Sequence, residues 1–200
     1  LAVSVKHGID SFGDGPYAFT SPALVNTIYG RWWHPEDEKA GPNAVPNSPL
    51  PWTGDYLDGL GNKITMLAYA NPENRSDETK RADGYGICRF NKSTRKVTFE
   101  CYKRFSDATK GSDAQFPGWP ITFNARDNDG RKPTGHLDYN VDLKNPVVQV
   151  INETTKEILY TARLQDSSGK LPVYSDDPHT IKIGKGKAQR IYKSGVAAGK

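Results

Sequence analysis

The tightest constraint on this chain is a pair of alternating runs either side of one short polar turn. Residues 85–90 (YGICRF) and 96–103 (KVTFECYK) flank the turn 91–95. Alternation with period two around a polar turn predicts a β-hairpin. One face would carry Cys88, Phe90, Val97, Phe99 and Cys101. The other would carry Arg89, Thr98, Glu100 and Tyr102. A dry face and a wet face are what antiparallel strands over a core require.

The rest of the chain favours strands and turns over long helices. It holds 19 Gly and 14 Pro in 200 residues, an excess that breaks up helices. Strands are expected at 1–6, 17–29, 63–70, 147–151, 158–164 and 180–183. Pro22 must then sit at an edge or a bulge. Residues 30–56 carry five prolines together with Trp32, Trp33 and Trp52. A loop of that length inside a compact domain is functional or draped over a surface, and three tryptophans should pin it. Residues 145–192 alternate short strands with turn clusters, the pattern of a small β-sandwich. At about 50 residues it would be marginal alone, so it should lean on the first region. No apolar run approaches the roughly 18 residues of a membrane span.

Net charge is +4, too little to imply a nucleic-acid partner. The excess is local. Lys170, Lys182, Lys185, Lys187, Arg190, Lys193 and Lys200 face only Asp176 and Asp177 within residues 170–200. That segment reads as a solvated face with a frayed tail, or as a contact for an anionic polymer, phosphate or membrane surface.

Several residue groups could carry chemistry. His7 ends a strand and opens a Gly/Asp loop holding Asp10 and Asp14, a common ligand position in layered folds. Arg31-Trp32-Trp33-His34 offers a phosphate clamp and pocket walls, or a packed cluster anchoring the long loop. Asp10–Gly15 and Asp127–Gly130 echo parts of a calcium loop, but turn geometry explains both. Cys88 and Cys101 are diagonal neighbours on the hairpin, at or beyond disulfide reach. A register shift of two would place them opposite, so a disulfide and two free thiols both remain open. Two thiols alone make a weak zinc case, with no His at a helpful spacing, and no complete catalytic constellation is present.

Four stretches carry a resemblance. Residues 7–33 (HGIDSFGDGPYAFTSPALVNTIYGRWW), 52–72 (WTGDYLDGLGNKITMLAYANP), 83–102 (DGYGICRFNKSTRKVTFECY) and 115–120 (QFPGWP) resemble the C-terminal half of alkaline-phosphatase-D-like metallophosphatases. The resemblance rests on pattern and order. It implies a mainly β chain, the C-terminal part of an α/β/β/α sandwich followed by a small β-sandwich-like domain. Residues 1–105 would be the end of the metallophosphatase-like domain, 106–143 an irregular linker, 144–194 the small domain and 195–200 a tail.

The implied activity is metal-dependent phosphoester hydrolysis, as a phosphatase or phosphodiesterase. Two divalent metals of unassigned identity would be held upstream of Leu1, so the chain alone should lack metal ligands and be inactive. Starting at Leu1, it is expected to be cut from a longer, exported polypeptide, whose upstream part and phosphoester substrate would be its partners. His7, Asp10, Arg31, Trp33 and His34 would then line the substrate pocket. The alternative is a non-catalytic exported β module that binds glycans or a cell surface through Trp32, Trp33, Trp52 and Trp119.

Overall fold

A computed structural model describes residues 2–23, 32–74, 77, 80, 82–197 and 199. The chain is mainly β, built from antiparallel strands with a few 3₁₀ turns. It forms two compact units, Leu1–Gly130 and Arg131–Lys200.

The first unit holds two sheets. Strands β1 (Ala2–His7), β2 (Tyr17–Thr20), β3 (Gly54–Leu57) and β4 (Lys63–Ala70) pair in the order β2-β1-β4-β3. Strands β5 (Gly84–Phe90), β6 (Lys96–Lys103) and β7 (Ile121–Asn124) pair in the order β5-β6-β7. The register of the first sheet contains one informative irregularity. Val5 pairs with Met66 and Ser4 with Ala68, so Leu67 is an extra residue on β4. A bulge of this kind reverses which side the following residues face.

The consequence is two cores on one sheet. Val5, Ile64, Met66 and Tyr69 point to one side. Ala2, Ala68 and Ala70 point to the other, where they join Val97, Phe99, Cys101 and Trp119. An aromatic ladder couples the two sheets there. Tyr17 stacks on Phe123 at 3.8 Å between ring centroids, and Phe19 stacks on Phe99 at 5.2 Å. Trp119 is 6 % exposed, and its indole N–H donates to the buried Ser4 hydroxyl at 3.0 Å.

The hairpin forms with Cys88 opposite Phe99. Its dry face, however, is carried unequally by the two strands. On β6, Val97, Phe99 and Cys101 are buried, whereas on β5 Cys88 is exposed and Phe90 is 75 % exposed. The reason is position: β5 is an edge strand. The Phe19 ring covers it at Gly86, where an added Cβ would lie 2.6 Å from the ring. Cys88 and Phe90 stand in solvent. Both cysteines are free thiols, which excludes the disulfide in this structure.

The second unit contains β8 (Gly135–Asn140), β9 (Val147–Asn152), β10 (Ile158–Arg163), β11 (Ser168–Val173), β12 (His179–Ile183) and β13 (Arg190–Val196). They form a four-stranded sheet, β10-β9-β12-β13, and a two-stranded sheet, β11-β8. Leu137, Tyr139, Leu171 and Val173 from the small sheet share a core with Val148, Val150, Ile181 and Ile183 from the large one.

Two expectations about boundaries are corrected. Residues 106–143 are not an irregular linker. They contain β7, which extends the sheet of the first unit, and β8, which founds the small sheet of the second. The division falls instead at Gly130–Arg131. Alternation marks β8, since Leu137, Tyr139 and Val141 are buried between exposed neighbours. Nor do residues 195–200 start as a frayed tail. β13 runs to Val196, and Gly199 exchanges two backbone hydrogen bonds with His136, each 3.0 Å. The strand expected at 17–29 is β2 only as far as Thr20, and residues 24–31 lie outside those described.

Candidate functional site

The long loop before β3 is laid across the sheet face that carries Val5, Ile64, Met66 and Tyr69. Trp33 sits over that face with its ring 5.1 Å from Tyr56 and 5.0 Å from Tyr69. Trp52 stacks on Tyr69 at 6.0 Å. Polar contacts then fix the loop. The Asn71 side chain grips the Trp33 backbone twice, accepting from its N–H at 2.9 Å and donating to its carbonyl at 2.6 Å. The Trp52 indole donates to the Glu38 carbonyl at 3.0 Å. The Tyr56 hydroxyl accepts from the Gly41 N–H and donates to the Lys39 carbonyl, both at 2.8 Å. Burial raises the Tyr56 and Tyr69 hydroxyl pKa values, and the Tyr69 hydroxyl accepts from the Trp52 N–H at 3.3 Å.

Asp55, 8 % exposed, ties the loop to the sheet. Its carboxylate accepts from Asn43 at 2.7 Å and from the Thr65 hydroxyl. Gly54 is required at the join. Its φ is +112°, and a Cβ would lie 2.6 Å from the carbonyl oxygens of Gly41 and Pro42.

The structure separates the sequence-derived candidates. His7 pairs with Ile64, so by register it shares a sheet face with Val5, Ile64 and Tyr56, the face Trp33 covers. His34 is exposed at the rim of the loop, 6.4 Å from the Trp52 ring, with Nδ1 3.2 Å from the Pro35 carbonyl. Asp10 stands apart in an exposed loop. Arg31 lies outside the described residues.

The residue that organises the His7 loop is Asp14, which sequence reasoning had only noted beside His7. Its carboxylate accepts the backbone N–H groups of Ile9, Asp10 and Ser11. Those bonds, Ile9 first, hold its pKa below the usual carboxylate range. Asp58 does the same for the β3–β4 turn. Its carboxylate accepts from the Asn62 side chain and from the N–H groups of Leu60 and Asn62, and its pKa is lowered accordingly. Asp58 follows the Asx pattern of a short acid bonding to backbone two residues on, whereas Asp14 reaches back to the three N–H groups that precede it in its loop. Each acid is spent on its own turn. The same end of the β1–β2 pair is clamped by Lys6, which pairs with Tyr17, donates to the Asp127 carbonyl at 2.9 Å and lies 4.4 Å from the Tyr17 ring centroid.

In the second unit His179 is fully buried, and neither ring nitrogen has a hydrogen-bond partner. Neighbouring acids are committed elsewhere. Asp177 accepts from Asn152 at 2.8 Å and from the Thr154 hydroxyl at 3.0 Å. Glu153 accepts from the Thr180 hydroxyl and, at 2.7 Å, from the Gly195 N–H.

No three His, Cys, Asp or Glu side chains converge on a metal-sized site among the described residues. These residues therefore do not fit a divalent-metal centre, and no catalytic step is derived from them. No helix among the described residues is long and apolar enough to cross a membrane. No protein-family model, curated protein or solved structure matches the chain.

Proposed function

We propose that this chain forms the β scaffold and part of the substrate-facing wall of a metal-dependent phosphoester hydrolase. It would be of the alkaline-phosphatase-D-like kind, exported, with its metals held by residues other than those described. One observation supports this reading above the others. The four stretches that resemble that family do not scatter. Their described residues supply the end of β1, strands β2 to β6 and Trp119, which meet in the two cores of the first unit. In this reading the β2-β1-β4-β3 sheet is an inner layer of an α/β/β/α sandwich, and His7 and His34 donate to a phosphoryl oxygen.

The tryptophan-based glycan reading has less support. Trp119 is buried in a core, and Trp33 and Trp52 are packed as anchors of the loop. A stacking platform needs an open ring face.

The test is reconstitution. The chain is incubated with Mn²⁺, Zn²⁺ or Ca²⁺ and assayed on p-nitrophenyl phosphate and bis(p-nitrophenyl) phosphate. It is then added to a separately produced metal-holding half of an alkaline-phosphatase-D-like enzyme. The expected result is no turnover alone and turnover on mixing, with His7→Ala raising KM. Turnover by the chain alone would place the metals within it. No effect on the metal-holding half would remove the phosphatase reading.

A further inference from the structure

The second unit contains a hollow that the proposed hydrolase role does not use. It has a volume of about 230 Å³ and lies where the end of β8 meets the β12–β13 hairpin. Val141, Leu143 and Ile183 give it apolar walls, and Tyr192, Asp142 and Arg190 line the rest with Asn140. The site is braced, since the Tyr192 hydroxyl donates to the Asn140 carbonyl at 2.7 Å and accepts its N–H at 3.1 Å. At this size the hollow takes a single ring and not a drug-sized ligand.

Its surroundings are basic. Ile183 and Arg190 both line the hollow, and the turn between them carries Lys185 and Lys187. Lys144 follows Leu143 directly, and all three lysines are exposed. The turn is folded by its own backbone bonds, Ala188 N–H to Lys185 carbonyl and Gln189 N–H to Gly186 carbonyl. The lining thus holds one cation, Arg190, and one acid, Asp142, with three exposed lysines adjoining it along the chain.

We propose that this hollow seats one sugar residue of an anionic polysaccharide of the uronate type. Arg190 pairs with the sugar carboxylate, and a planar guanidinium meets a carboxylate through two parallel bonds. Asp142 and Asn140 take the sugar hydroxyls. The apolar walls meet the ring's C–H face. Lys185, Lys187 and Lys144 attract the neighbouring carboxylates of the polymer, a longer-range contribution that salt weakens. Nucleic acid is the less favoured polyanion. Single strands are held by stacking on aromatic faces, and the one aromatic side chain lining the hollow among the described residues, Tyr192, carries the Lys193 ammonium 5.3 Å from its ring centroid.

The experiment titrates the full chain with trigalacturonate, with neutral maltotriose and with a twelve-residue oligothymidylate, following amide chemical shifts. Trigalacturonate should bind at least tenfold more tightly than either control. Its shifts should centre on residues 140–143, 183 and 190–192. Arg190→Ala should weaken binding about tenfold, and Lys185→Gln with Lys187→Gln should flatten the salt dependence. Asp142→Ala is the deciding variant. A seated sugar loses an acceptor and binds more weakly, whereas a polymer held by charge alone binds more tightly. Tighter binding by that variant, shifts centred elsewhere, or oligothymidylate binding equal to trigalacturonate overturns the proposal. All substituted positions are exposed apart from backbone contacts, and far-ultraviolet circular dichroism checks the fold.

Discussion

Ser4 and Trp119 show what a single polar contact does inside a β core. Ser4 is fully buried on β1, and its hydroxyl accepts the Trp119 indole N–H at 3.0 Å. Trp119→Phe keeps most of the apolar burial but strands that hydroxyl. Leaving a buried polar group unpaired costs about 1–3 kcal/mol, so denaturant unfolding should show a loss of that size. Ser4→Ala combined with Trp119→Phe should recover part of it, because both partners are then gone. The two cysteines make a second contrast at this scale. Burial pushes the Cys101 thiol up to about 12, and Cys88 is raised less while standing at the exposed edge strand. The thiolate is the reactive form. A chromogenic disulfide reagent at pH 8 should therefore modify Cys88 within minutes, and Cys101 only at the rate of unfolding. Two thiols reacting together would mean that β6 is not the buried strand.

Among elements, β4 and the long loop before β3 depend on each other. The Leu67 bulge turns Tyr69 toward the loop side while Ala68 and Ala70 stay against the second sheet. Tyr69 then gives Trp33 and Trp52 something to pack on. The Asn71 side chain, just past β4, closes the arrangement on the Trp33 backbone. Asn71→Ala should raise amide exchange across residues 33–53 by roughly tenfold while leaving β6 amides protected. The corresponding loss is about 1–2 kcal/mol for two backbone contacts. Unchanged exchange in the loop would show that the aromatic rings alone hold it. Much of this was legible beforehand. The 85–103 hairpin and the 63–70 strand follow from period-two alternation, and three tryptophans in a proline-rich loop do imply anchoring. The bulge was not legible, because an extra residue in a ladder leaves no mark in composition. β3 and β7 are four residues each, too short for alternation to stand out. Among the site residues, His7 was visible as a strand end. The separation of Asp10 from it was not, because the Asp14 staple that shapes the loop is set by backbone geometry.

At the scale of the molecule, each unit has its own core, and the second should stand by itself. Residues 131–200 close both ends of their chain into sheets, β8 through its pairing with β11 and the C-terminus through Gly199 on His136. Among the described residues, ten buried ones form their core. Expressed alone, this piece should melt cooperatively, and Ile181→Ala should lower its stability by about 2–5 kcal/mol, the range for emptying a fully buried aliphatic site. Acid should act on it in a defined direction. Hydrogen bonds from Thr180 to Glu153 and from Asn152 to Asp177 lower both carboxyl pKa values in the folded state. A folded pKa below the unfolded value stabilises the native state above the unfolded value, and the benefit disappears as pH falls through the folded one. Unfolded Asp and Glu titrate near pH 4, so the melting temperature should be flat from pH 7 to about 5 and fall below about 4. Glu153→Gln with Asp177→Asn removes the titrating groups and should shallow that fall. An equally steep fall in the double variant would assign the acid sensitivity to other groups.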